Sequence, residues 1–535
     1  MNTNNASLVG LRFRTVIPAM FVGVLLTVAT VPSHAQSLTT GGVSGNITDA
    51  TGAVVPNSTV TLTDLDNGSV QAASSNGSGE FRFSLLKPGR YIVSATAPGF
   101  EKVERPIEVS VGNVVTASLV LQLGKAVTTV EVSTASPLVN EDPAQITTFT
   151  QQQMELLPSG GGDLTNIAYT APGALLNVAP PGQSGFGNFT VNGLPGTSNL
   201  FTTNGENNMD PYFNINNSGA SNLTLGSNEV QEVTITTNPY SGQYGQLSGA
   251  QVSYVTKSGT NEFHGNANYY WNGRLLNAND TFNNAQGAPT PFANANQWSD
   301  SIGGPIAKNR TFFFVDNEGL KFVLPVTDVL TVPSPQFASA VLANVTATQP
   351  NEAPTYQKMF NLYQGVPGYG GASALPNTTA CNSLTLPGFD PASQPCALQF
   401  RSSPSALASE WILAGRVDHR LSDKDQAYFR YKMDRGTQPS ATDPVDPKFD
   451  AISKQPSWDT QLDETHVFGP RATNSFMATL SYYRAQFTQD TAQDLSIFPY
   501  GIITSGTVPF TGFNGIYEFP QGRNITQYQF IDDFS

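Results

Sequence analysis

The residue types that carry most enzyme chemistry are sparse and dispersed in this sequence. Its four histidines, His34, His264, His419 and His466, fall in no H-x-x-E or H-E-x-x-H arrangement. That spacing would put two ligands and a carboxylate base around a zinc ion. No G-x-S-x-G, P-loop or G-x-G-x-x-G occurs, and Gly160-Gly161-Gly162 lacks the flanking strand, helix and lysine of a phosphate cradle. No catalytic group, metal site or cofactor is expected, and the chain does not read as an enzyme. Cys381 and Cys396 are the only cysteines and sit in a loop-like stretch. In an oxidising compartment they could close one loop.

The elements behind these residues are read from composition and period. The chain has 535 residues, of which 12% are charged and 10% aromatic, with 48 glycines. Few charges, many turn formers and many aromatics fit a mainly β protein of several units. Lys+Arg number 26 against 40 Asp+Glu, a net charge of -14. An acidic chain without a basic run argues against nucleic acid as a partner.

Arg12 and Arg14 precede a nearly apolar run from Val16 to Val31, and Ser33-His34-Ala35 offers small residues for cleavage before Gln36. This is the pattern of a signal peptide over residues 1–35. No later stretch reaches about 20 consecutive apolar residues, so a membrane location would require a closed barrel.

The first folded unit spans residues 41–123. Short alternating runs, such as Thr59 to Thr63, Phe81 to Phe83, Tyr91 to Ala95 and Val114 to Leu121, are separated by turns such as Asp49 to Gly52, Asn76 to Gly79 and Pro88-Gly89. Such spacing predicts a β-sandwich. Asp49-x-x-Gly52, Val55-Pro56, Gly79-x-Phe81-x-Phe83, Leu86-x-Pro88-Gly89-x-Tyr91-x-Val93 and Gly99-Phe100 together resemble the carboxypeptidase-regulatory-like domain. That resemblance implies a transthyretin-like, carbohydrate-binding-like sandwich and no peptidase activity.

Residues 124–260 read as a mixed α+β unit. Thr150 would cap a short helix that Pro158 ends. The strands Phe189 to Val191 and Phe201 to Thr203 run into the turns Asn192-Gly193 and Asn204-Gly205, and Val230 to Thr237 alternates as a strand. The order of Leu156 to Asn177, Val191 to Pro211 and Glu229 to Trp271 resembles the plug-to-barrel region of TonB-dependent outer-membrane receptors, and closely the Oar-like group, which carries a regulatory-like domain in front. The family commonly has an acidic residue where this chain has Asn204, which puts a charge-dependent latch at that turn in doubt.

The resemblance implies an outer-membrane location, a plug inside a β-barrel, energised uptake of a small nutrient such as an oligosaccharide or peptide, and a TonB-type energising partner. The β-branched segment Val127-Thr128-Thr129-Val130-Glu131-Val132 is a candidate TonB-contacting strand, although β-branched runs are ordinary strands first, and the plainer reading is the first strand of the plug. An alternative function is a surface adhesion or structural protein, with the sandwich binding glycan and the barrel serving as an anchor in lipid.

From residue 261 onward a partial antiparallel outer-membrane β-barrel is expected. On Trp411 to Leu421, Trp411, Leu413, Gly415 and Val417 share one face, while Arg416, Asp418 and Arg420 share the other. After the turn Ser422 to Asp425, Phe429 and Tyr431 oppose Tyr428, Arg430, Lys432 and Asp434. The period alone does not say whether the charged face meets water outside a sandwich or inside a barrel. The stretch Pro333 to Ser409 reads as a long polar loop. About 22 strands of about 9–11 residues make a large plugged barrel, so the residues after Phe263 are expected to encode roughly half of one, and the sequence reads as a fragment.

Overall fold

The computed structural model describes residues 39–124, 129–130, 145–157, 163–168, 170–176, 189–216, 219–221, 224, 226–238, 248–285, 290–325, 328–402, 405–469, 472–489, 498, 510–514 and 520–535. Residues 1–35, expected to form a signal peptide, and Val127, Thr128, Glu131, Val132, Gly160 to Gly162 and Tyr240 to Gly245 lie outside them.

The first unit is a two-sheet sandwich. Its strands are β1 (Gly41–Asp49), β2 (Thr59–Asp64), β3 (Val70–Ser74), β4 (Glu80–Leu86), β5 (Gly89–Thr96), β6 (Val103–Val109), β7 (Val114–Thr116) and β8 (Leu119–Leu121). One sheet orders β4-β1-β7 with β8 also on β1; the other orders β3-β2-β5-β6 and ends on β9 (Thr129–Val130). Alternation sends Val60, Leu62, Tyr91, Val93 and Ala95 inward against Val43, Ile47, Phe81 and Phe83. Each such side chain contributes roughly 1.5–3 kcal/mol on burial. The run Val114 to Leu121 is not one strand. It breaks at Ala117 and Ser118, where Ala117 N–H turns to the Ser44 carbonyl and the Ala117 side chain is fully buried.

The second, inner unit contains β10 (Gln145–Thr150), β11 (Ala174–Leu176), β12 (Phe189–Val191), β13 (Leu200–Thr203), β14 (Glu206–Asn207), β15 (Met209–Asp210), β16 (Ile215–Asn216), β17 (Val230–Thr237) and β18 (Gln251–Thr256), with helices α1 (Gln151–Leu156) and α2 (Thr165–Ala168). Its main sheet orders β10-β17-β18-β13-β14. Every residue of β18 is buried, so both faces of that sheet are covered. At the head of α1 the Gln153 side chain accepts the Thr150 N–H at 3.0 Å, half of a capping box.

The third unit is a nine-stranded antiparallel wall. Its strands are β19 (His264–Gly273), β20 (Asn294–Ala307) and β21 (Thr311–Pro325), then, after a side sheet of β22 (Asp328–Pro333), β23 (Ser373–Ala374) and β24 (Ala397–Ser402), β25 (Ser405–Arg420), β26 (Asp425–Ala441), β27 (Ala451–Lys454), β28 (Ser457–Gly469), β29 (Ala472–Gln489) and β30 (Gln521–Phe534). Most of these strands exceed the about 9–11 residues that cross a hydrocarbon core. Alternation is clear on β25 and β26. Trp411, Val417, Phe429 and Tyr431 are exposed, whereas Ile412, Ala414, Arg416, Asp418, Tyr428, Arg430 and Asp434 are buried.

One end of the wall has tight turns, such as Ser422 to Asp425. The other end carries a folded cap instead of the long polar loop expected from Pro333 to Ser409. Helices α4 (Pro335–Thr348), α5 (Ala353–Gly365) and α6 (Thr379–Asn382) follow the smaller α3 (Thr281–Ala285). The stretch was misread because its helices are weakly amphipathic, yet their start signals are present: Ser334 accepts the Phe337 N–H at 3.1 Å with Pro335 in the first turn. Its last residues, from Ser405, already belong to β25. Tyr363, Phe400, Phe449, Phe498 and Phe513 form the cap's core.

Candidate functional site

The functional candidate is the seam where the inner unit meets the buried face of the wall. The period of 2 along β21, β25, β26, β28 and β30 decides which side chains reach it. The sequence between Leu164 and Asn261 holds only Glu206, Asp210, Glu229, Glu232 and Lys257 as charged residues. Three of these acids meet polar groups of the wall.

Arg430, 1% exposed, is the centre. Its Nε donates to Glu229 at 2.5 Å and its Nη1 to Asp459, while Lys432 Nζ stands 3.8 Å from the other Glu229 oxygen. Burial by itself pushes the Glu229 carboxyl up; the charges of Arg430 and Lys432 outweigh it and hold the group below the ordinary carboxylate range. Asp210, fully buried, pairs with Arg523, whose Nε donates at 2.6 Å. Glu206 accepts from Gln461 Nε2 at 2.6 Å. Burial first, and then the nearby Asp459, push its carboxyl up to about 7.

The wall also grips the inner unit's backbone. Glu318 accepts the N–H groups of Gly226 and Asn228 at 3.1 and 2.6 Å, and Glu410 accepts the Ser221 N–H at 2.6 Å. Gln529 exchanges two hydrogen bonds with the Asn207 backbone at 3.0 and 2.9 Å. A side chain on Gly219 would collide with the Glu410 and Asp434 carboxylates, which would have to move aside.

The turn residues read from the sequence separate here. Asn204 and Gly205 both have positive φ, 51° and 91°, the backbone of a tight hairpin turn. The Asn204 amide donates to Gln461 Oε1 at 2.8 Å and its oxygen accepts the Thr256 N–H at 3.0 Å. A neutral amide pair thus joins inner unit and wall at this turn. Asn192 and Gly193 have the same backbone, φ 51° and 81°, but Asn192 is exposed and donates to Asn238 at 2.9 Å, away from the wall. Of the segment Val127 to Val132, only Thr129 and Val130 are described; they pair in parallel with Val103 and Glu104 at the edge of the sandwich. Cys381 and Cys396 are joined by a disulfide in the cap, far in the fold from the seam.

A second junction ties the sandwich to the tight-turn end. Lys87 Nζ donates to Asp418 at 2.8 Å, and Asp418 accepts both Nε and Nη2 of Arg416 at 2.9 Å. Arg416 Nη1 continues to Thr256 Oγ1 of the inner unit at 2.9 Å. One chain of charged and polar groups therefore runs through all three units. Glu232 of the inner unit accepts the Val111 N–H of the sandwich at 2.8 Å, and burial pushes its carboxyl up to about 6. A cleft of about 800 Å³ lies between sandwich, inner unit and wall, lined by Arg90, Lys257, Arg416 and Asp463 among others.

The pairing partners of the seam acids were missed because each lies hundreds of residues away. Their scarcity in a charge-poor, Asn- and Gly-rich stretch was the available signal. Among the described residues one group of His and carboxylates, Asp425, Glu464 and His466, is close enough to hold a metal ion; it lies outside the seam.

Residues 255–535 match the model of the outer membrane beta barrel domain, and residues 42–122 match that of the carboxypeptidase regulatory-like domain. The chain is similar to the TonB-dependent transporter Oar of Myxococcus xanthus, with 26% identity over 269 residues, 48% of this chain and 24% of that protein. It thus spans about a quarter of that relative's length. Among solved structures, the outer membrane transporter YddB of Escherichia coli aligns over 64% of this chain and 40% of its own at 12% identity, with a TM-score of 0.42. A ferric enterobactin receptor of Pseudomonas aeruginosa aligns over 72% and 46% at 14% identity, with a TM-score of 0.40.

Proposed function

This chain belongs to the outer membrane β-barrel domain family, and on that premise we propose that it forms the plugged front of a TonB-dependent transporter that imports a small extracellular nutrient. The family and its Oar relative place the protein in the outer membrane of a Gram-negative cell.

The observation that carries the reading is the seam. The inner unit, residues 124–260 in our division, acts as the plug, and its contacts with the wall at residues 261 onward are mostly ion pairs and hydrogen bonds. Water can replace polar contacts of this kind, whereas an apolar core torn open would expose its full hydrophobic area. A plug that must shift and return needs the first kind of interface.

The sandwich, residues 41–123, supports the same reading. It docks at the tight-turn end through Lys87, on Asp418, and through the Val111 N–H, on Glu232 of the inner unit, and tight turns mark the periplasmic side of outer-membrane barrels. In that position the segment Val127 to Val132 would be within reach of a periplasmic TonB-type protein adding a strand to it. The same position argues against an adhesin whose sandwich binds external glycan. The substrate class we favour is an oligosaccharide or oligopeptide, and no catalytic step is part of the proposal.

Deleting Lys125 to Ser133 in the full-length transporter tests it. Uptake of oligosaccharides and peptides supplied as sole nutrient should be lost, with unchanged barrel insertion. Retained uptake would remove the energised-transport reading.

A further inference from the structure

We propose that Asp425, Glu464 and His466 form a divalent-cation site of zinc type on the outer face of the barrel, at its tight-turn rim. The inference uses the barrel wall alone and is independent of transport.

The alternation of β28 sets the geometry. Gln461 is fully buried against the plug and Asp463 accepts from Ser475 at 3.0 Å, while Leu462 and Phe468 are 56% and 59% exposed. Glu464 and His466 therefore share the outward face, because residues two apart on a strand point the same way. Asp425 opens β26 directly opposite His466, and Ala427 stands opposite Glu464. His466 Nδ1 is hydrogen-bonded to the Asp425 carboxylate, and one ligand atom from each of the three residues lies within 4.8 Å of the others.

Two features point to a cation. Glu464 and Asp425 bring two carboxylates to a surface whose outward neighbours are Leu462, Phe468, Phe429 and Phe476, all exposed apolar groups of the lipid-facing kind. A carboxylate there is costly without a counter-charge. No Lys or Arg among the described residues is ion-paired with Glu464; Lys424, beside Asp425 in the turn, is exposed. The ligand set then chooses the ion. One imidazole nitrogen with two carboxylate oxygens suits zinc, whereas calcium and magnesium favour oxygen alone. Zinc bonds of about 2.0–2.2 Å would draw the three donors together and leave a coordination position open to water or another oxygen ligand. The ion would pin the β25–β26 turn to β28 on the outside, as Arg430 and Asp459 join β26 to β28 on the inside.

Titrating the full chain, folded in detergent micelles, with Zn²⁺ alone tests the site. One ion should bind per chain and raise the temperature at which the barrel loses its compact, heat-modifiable form. Glu464→Gln and His466→Gln should each weaken binding at least about tenfold, since loss of a group that merely supports a ligand already costs about 10–100-fold. His264→Gln and His419→Gln should bind as the parent does. Both ligand variants keep a hydrogen-bonding side chain, and heat modifiability without zinc reports their folding. Absence of saturable one-to-one binding, binding unchanged in Glu464→Gln, or loss of binding in the His264 or His419 variants would each overturn the proposal.

Discussion

Arg430 shows what a single buried charge does here. It sits between Glu229 of the inner unit and Asp459 of the wall with its guanidinium out of water. Replacing it by methionine strands two carboxylates, and removing one partner of a buried pair costs about 3–5 kcal/mol. Urea unfolding of the refolded protein should show that loss, and Arg430→Met with Glu229→Gln should recover part of it. Two further acids give the seam a pH dependence. Glu206 titrates near 7 and Glu232 near 6, both above the ordinary 4.5. A raised folded-state value means the protonated form is favoured in the docked state. The stabilisation is fully present below about pH 4.5 and falls away as pH rises through 6 and 7. Plug and sandwich docking should thus be tighter at pH 5 than at pH 8, measured by protease access, and Glu206→Gln should flatten the upper part of that profile. An opposite slope would mean that docking favours the ionised carboxylates, and a flat profile that docking leaves their ionisation unchanged.

Among the elements, the strands were legible and their partners were not. The period-2 face of Arg416, Asp418, Arg430, Lys432 and Asp434 can be read directly from the sequence, and the structure turns it inward. What it meets there is the backbone of the inner unit and Glu229, contacts set by folding across about 200 residues of separation, as in Arg430 to Glu229. The same limit hid Asp425 from Glu464 and His466: metal motifs test short spacings, and these ligands come from two strands. The cap was misread for a different reason. Its helices show only weak amphipathic periodicity, and α5 gains its core from segments around Phe449, Phe498 and Phe513 far along the chain. The disulfide between Cys381 and Cys396 closes a stretch of 15 residues within that cap. Loops of this size contribute about 3 kcal/mol. Cys381→Ser with Cys396→Ser should make the cap susceptible to added protease while the barrel stays heat-modifiable; a barrel lost together with the cap would show that the two fold as one unit.

For the whole molecule, three units are joined end to end by one polar chain, from Lys87 through Asp418 and Arg416 to Thr256. Force applied near the junction of sandwich and plug would reach the seam through these contacts. Lys87 is partly exposed, so Lys87→Ala should cost at most about 1 kcal/mol and act mainly by loosening the sandwich. The direct measurement is chemical labelling of Ser221→Cys in the full-length protein in living cells, using a membrane-impermeant maleimide. Ser221 is buried against Glu410 when the plug is seated, and the native cysteines are bonded to each other. Energised cells should label this position several-fold faster than cells treated with a protonophore. Equal labelling in both would contradict a plug that is held by the seam and released by energy from the inner membrane.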